Sequence, residues 1–189
     1  MKNTTLLRKS VFFIFLIYSS FSYSQDAIFE VSGNGVLINN NSTTTSTGDN
    51  THFGTVLVGN FVENTFVLKN TGSLGTTSSR RITFSNPSVT ITGTDAGQFS
   101  IISGPTSGNT LSGLNTTFSP NLVIRFTPTL ALGTKDATVT IRYTNNGGQL
   151  THTYAIRGIS DGVPEIDKKV TVPLLLMETY RHQLQIGQI

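Results

Sequence analysis

Thr138-Val139-Thr140-Ile141-Arg142-Tyr143 alternates strictly, with Val139, Ile141 and Tyr143 on one side and Thr138, Thr140 and Arg142 on the other. A period of two with one apolar face describes a half-buried strand, the kind an antiparallel sheet lays over a core. Asn145-Asn146-Gly147-Gly148 follows, residues that accept left-handed backbone, and 151–157 then alternates in turn. Strand, turn and strand make a hairpin. Outward from it, the same period predicts strands at 27–31, 36–38, 53–59, 62–70, 81–84, 89–92, 99–102 and 122–126. The stretch 39–50, rich in Asn, Ser and Thr, predicts a surface loop. No helical period intervenes between residue 24 and the tail. The chain is therefore expected to be all-β, an antiparallel β-sandwich of about seven to nine strands in roughly 135 residues. Phe53, Phe66, Phe84, Phe99 and Phe126, near strand centres, are the expected core.

Composition removes several classes of function. The 189 residues include no Cys and no Trp, and 12% are charged. Without cysteine there is no disulfide framework, thiolate metal site or cysteine nucleophile. The net charge of +3 invites a nucleic-acid reading, but its excess lies at the two ends. Residues 25–166 hold seven basic and eight acidic side chains, and apart from Arg80-Arg81 the bases stand alone. No footprint for a phosphate backbone survives.

Lys2, Arg8 and Lys9 precede the apolar run 11–17, and Ser22 and Ser24 then supply a small-x-small site. Residues 1–24 thus read as a signal peptide cleaved after Ser24. The run is shorter than the ~20 residues of a spanning helix. The mature chain is expected outside the inner membrane of a bacterium, secreted or at the cell surface, with no membrane span.

The candidate sites are weak. His52 and His152 have no acidic or histidine partner at ligand spacing. A Ser, His and Asp inventory exists without a nucleophile elbow. Gly33-Asn34-Gly35 and Gly72 read as turn formers, outside any phosphate-binding pattern. Asp49 alone gives the 39–50 loop too little charge for calcium. Asp95 is expected to accept from the amides of Ala96-Gly97 and fix a tight turn. The reading assigns no catalytic residue, no metal and no cofactor.

Some of these stretches carry a resemblance. Phe53-Gly54-Thr55-Val56-Leu57-Val58-Gly59 with Thr65-Phe66-Val67-Leu68-Lys69-Asn70-Thr71-Gly72 resembles the opening of Hydin/ASH-type immunoglobulin-like domains. Ile91-Thr92-Gly93-Thr94-Asp95-Ala96-Gly97-Gln98-Phe99 is similar to a segment of the bacterial choice-of-anchor D family. Ile124-Arg125-Phe126-Thr127-Pro128, Gly133 and Tyr154-Ala155-Ile156-Arg157-Gly158 resemble that family's later strands. The motifs keep their order across about 27–160. The resemblance implies an immunoglobulin-like sandwich, exported and often repeated in tandem, without catalytic residues. One departure is Leu111-Ser112-Gly113-Leu114-Asn115, where the loop ahead of the Phe-x-Pro strand is expected to differ in shape.

Residues 25–160 form the expected domain, and 161–189 a linker and an aberrant tail. Leu174-Leu175-Leu176-Met177 and its neighbours lack the Thr-Asn-Gly texture of the rest. A one-base shift within an A-run encoding Lys168-Lys169 would restore a pattern parallel to Gly33-Asn34-Gly35-Val36-Leu37-Ile38. The tail therefore reads as the frameshifted start of a second repeat near Val163. The expected function is a structural spacer or an adhesion or protein-interaction unit at the cell surface. Its partner is an unknown protein or surface glycan, or neighbouring repeats in a longer parent. The alternative is a carbohydrate-binding module, weakened by the lack of Trp and by Tyr143, Tyr154 and Tyr180 lying apart.

Overall fold

The computed structural model describes residues 26–72 and 79–162. The expected signal peptide and the tail from Val163 lie outside these. Eleven strands follow in chain order: β1 (Phe29–Gly33), β2 (Val36–Ile38), β3 (His52–Leu57), β4 (Val62–Asn70), β5 (Ile82–Thr92), β6 (Phe99–Ser103), β7 (Thr110–Leu111), β8 (Thr116–Thr117), β9 (Leu122–Phe126), β10 (Gly133–Asn145) and β11 (Gly148–Asp161). A three-residue 3-10 turn at Ala96–Gln98 is the one helical piece among the described residues. Sheet one has the order β2-β1-β4-β9-β6, with β8 also on β4, and sheet two the order β3-β11-β10-β5-β7. The all-β sandwich stands.

The core lies between the sheets because alternation delivers one face of each strand to it. In β10, Ala137, Val139 and Ile141 are buried while Thr138 and Arg142 are exposed. In β9, Leu122, Ile124 and Phe126 are fully buried. All five expected Phe residues are buried, and Phe118, Tyr154 and Ile156 join them. Phe53, Phe99 and Phe126 pack together, with Phe99 stacked on Phe126 at 4.9 Å and Phe53 edge-on to Phe99 at 5.5 Å. Each such side chain contributes about 1.5–3 kcal/mol by leaving water.

The hairpin forms as read, and longer. Asn146 (φ 50°) and Gly147 (φ 77°) take consecutive left-handed conformations, the backbone of a type I′ turn, and pairing runs from Asn145↔Gly148 to Gly133↔Ser160.

Three expectations need correction. The stretches 81–84 and 89–92 are one strand, β5, which carries Asn86-Pro87 inside it. Pro87 is tolerated because the ladder to β10 lapses between Phe84 and Val89 and β7 covers only Ile82 and Thr83, so neither neighbour needs an amide at residue 87. The sandwich is not wholly antiparallel, since β3 pairs with β11 in parallel. β7 and β8, two residues each, are too short to show any period.

Candidate functional site

Asp95 precedes the 3-10 turn but makes no side-chain bond to it, contrary to expectation. The turn closes through backbone alone, Gln98 N donating to Asp95 O at 3.0 Å. The Asp95 carboxylate reaches across to β10. Oδ2 accepts from Asp136 N at 3.1 Å, and Oδ1 lies 3.8 Å from Lys135 Nζ. Lys135 occupies an inward position of β10 and is itself buried, so its charge needs a partner. Asp95 supplies one and fastens the β5–β6 connection to β10. An earlier start for β10 would have revealed Lys135, because 135, 137, 139 and 141 share one face.

Asp49 serves the loop. Its Oδ1 accepts from Thr51 N at 3.0 Å and from Thr51 Oγ1 at 2.6 Å. The loop is bound to the body, with Asn64 Nδ2 donating to Asn50 O and Asn50 Nδ2 to Thr65 O. Gly33 is more than a turn former. A Cβ there would stand 1.8 Å from Asp49 O, so only glycine lets the loop cross β1. His52 Nδ1 accepts from Gly54 N at 2.9 Å. His152 is buried beside Phe29 and Tyr154, its Nε2 without a hydrogen-bond partner. Burial pulls its pKa from 6.5 down to about 4, although a hydrogen bond to the backbone of Ile38 works the other way. His152 is therefore a neutral core group. Among the described residues no three His, Asp or Glu side chains gather as metal ligands.

Asn70 is a residue that composition gave no reason to single out. It is fully buried and makes four hydrogen bonds. Oδ1 accepts from Ile28 N and Gly72 N, both at 3.1 Å, and Nδ2 donates to Arg80 O at 3.0 Å and Leu111 O at 3.1 Å. One amide thus joins the entry to β1, the exit of β4, the approach to β5 and the end of β7. Leu114 and Asn115, in the departing loop, adopt left-handed backbone (φ 66° and 59°), and Leu114 N donates to Gly72 O at 2.7 Å.

The outer face of sheet two is rich in threonine, while Leu37, Phe61, Leu130 and Leu132 stand exposed elsewhere on the surface. On the outer face of sheet two, register sets Thr138 beside Thr92 and Thr140 between Thr90 and Thr153. At the hairpin end a cleft of about 380 Å³ is lined by Ser85, Asn86, Arg142, Gln149, Leu150 and Thr151. Farther along, Arg157 holds Asp136 in a bidentate pair at 2.7 and 3.0 Å. These groups can hydrogen-bond a partner but present no nucleophile paired with a base. Among the described residues the large exposed aromatic is Phe61, and the Arg125 guanidinium lies 4.2 Å from its ring centroid. No described helix is long and apolar enough to cross a membrane. No protein-family model and no curated protein matches the chain.

Proposed function

We propose that this chain is an exported, non-catalytic immunoglobulin-like module of the choice-of-anchor D and Hydin/ASH type, a structural spacer or adhesion and protein-interaction unit at the cell surface. The observation that carries the reading is where the polar residues of the motifs lie. Asn70 and Asp95 hold backbone, while Gly158 lies against the Phe126 ring. A motif whose members join strands is a fold signature, and a fold signature suits a scaffold. The sheet order, β1-β4-β9-β6 over β11-β10-β5, supports the immunoglobulin-like assignment. Phe61, the exposed aromatic, is already covered on one face by Arg125, which leaves a poor stacking platform for a sugar ring.

A glycan-array screen of residues 25–166, run beside a panel of hydrolase substrates, tests this. No saturable glycan binding and no turnover are expected. Glycan binding lost on a single surface substitution would replace the reading with a carbohydrate-binding module. Turnover abolished by one substitution would make the protein an enzyme.

A further inference from the structure

The free edges of the two sheets differ in how well they are guarded. An open strand edge offers unpaired amides and carbonyls to other strands, and proteins commonly protect it with charge, proline, bulges or brevity. β2 has three residues and β7 two. β5 has Pro87, and β3 is broken by Gly54 at φ +74°. β6 is five residues long, pairs among the described residues only with β9, and has neither charge nor proline. Its one guard is a bulge, which leaves Ile102 without a partner on β9 and turns it outward instead of breaking the strand. The result is two consecutive isoleucines at the edge, Ile101 41% and Ile102 45% exposed.

Two further facts select the occupant. No charged residue occurs between Asp95 and Arg125, and none between Arg81 and Asp95. The segment that carries β6, residues 96–124, is therefore uncharged, and the charge beside it on β9, Arg125, is paired with Glu63, so two β6 edges could meet without like-charge repulsion. The β6 sequence Ser100-Ile101-Ile102-Ser103 also reads the same in both directions. Laid antiparallel on itself, it sets each isoleucine against an isoleucine and each serine against a serine. A symmetric two-fold contact requires that self-complementarity.

We propose that β6 is a homophilic docking edge, on which a second copy of this chain adds its own β6 antiparallel and sheet one continues across the two-fold axis. The inference rests on the interaction reading above and gives it a partner. A five-residue strand buries less than the ~800 Å² per partner of a standard interface, so the dimer is weak and depends on concentration.

Sedimentation velocity of the purified protein, from low micromolar to near-millimolar concentration, tests it. The expected result is a reversible monomer–dimer equilibrium. Ile102→Lys, at a position β9 does not oppose, is expected to weaken association roughly tenfold or more with the melting temperature unchanged. Leu37→Lys on the β2 edge is expected to leave association as it was. Because the protein has no cysteine, register can be read directly. A mixture of Ile101→Cys and Ile102→Cys proteins is expected to oxidise to the mixed dimer in excess over either homodimer. Three results would each overturn the proposal: a monomer at every concentration, self-association indifferent to Ile102→Lys, or mixed and like disulfides in statistical proportion. A glycan-array hit would instead remove the functional reading and leave these measurements unchanged.

Discussion

Asn70 shows how much one side chain can hold. Its two donors and its acceptor meet four backbone groups from four segments, and replacing it leaves those groups buried and unpaired. Asn70→Asp keeps the shape but turns an oxygen towards two carbonyls. We expect a loss of about 3 kcal/mol or more, read as a fall in the urea midpoint. Tyr154 is the opposite case. Its hydroxyl is buried without a hydrogen-bond partner, and burial raises its pKa. Tyr154→Phe removes that unpaired group with little change of shape and should raise stability by about 1 kcal/mol in the same titration. His152 makes the fold sensitive to acid. Its pKa lies near 4 in the fold and 6.5 when unfolded, so the unfolded chain binds its proton first. The stabilisation is fully present above pH 6.5, declines as pH falls, and is gone below about 4. Between pH 7 and 5 the parent should lose about 2 kcal/mol more than His152→Leu. Equal losses would show that the imidazole is solvated. Sequence could not rank these residues, because hydrogen-bond count and burial depend on which segments converge.

At the scale of the element, alternation was legible wherever one face meets the core and the other meets water. β10 and β11 satisfy that condition, and their turn chemistry marked the hairpin. β5 reads as two pieces because proline ordinarily ends a strand, and here it sits in a bulge beyond β7 where neither neighbour pairs with it. β7 and β8 exist through their neighbours, β5 and β4, with no periodicity of their own. Asp95 was read as a local turn former because only local partners are visible along a chain, whereas its carboxylate acts across 40 residues on Lys135 and Asp136. Gly158 carries the prediction at this scale. A Cβ there would stand 2.4 Å from the Phe126 ring, so β11 and β9 approach through the absent side chain. Gly158→Ala should cost about 1–3 kcal/mol by forcing that ring or strand aside, with the far-UV spectrum unchanged. A neutral result in thermal melts would mean the ring moves freely.

The described body has one hydrophobic core, shared by both sheets, and is expected to melt in a single transition. Residues 25–166 should give the same melting temperature with and without EDTA. A drop on chelation would reveal a structural metal. What the sequence could not show at this scale was closure, since the order of strands in a sheet depends on contacts far apart in the chain. The parallel pairing of β3 with β11 joins His52 to Arg157 and Leu57 to Asp161. β11 lies between β3 and β10, so until it arrives β3 has no sheet partner and β10 lacks one of its two. Among the described residues, the last strand in chain order is therefore the one that shuts the sandwich. For a chain exported as proposed, that order of events has a use. A polypeptide crosses a narrow translocation channel only while unfolded, and this one has no complete sheet two until Asp161 has been synthesised. Closure of sheet two therefore waits on β11, however much of the chain before it has paired.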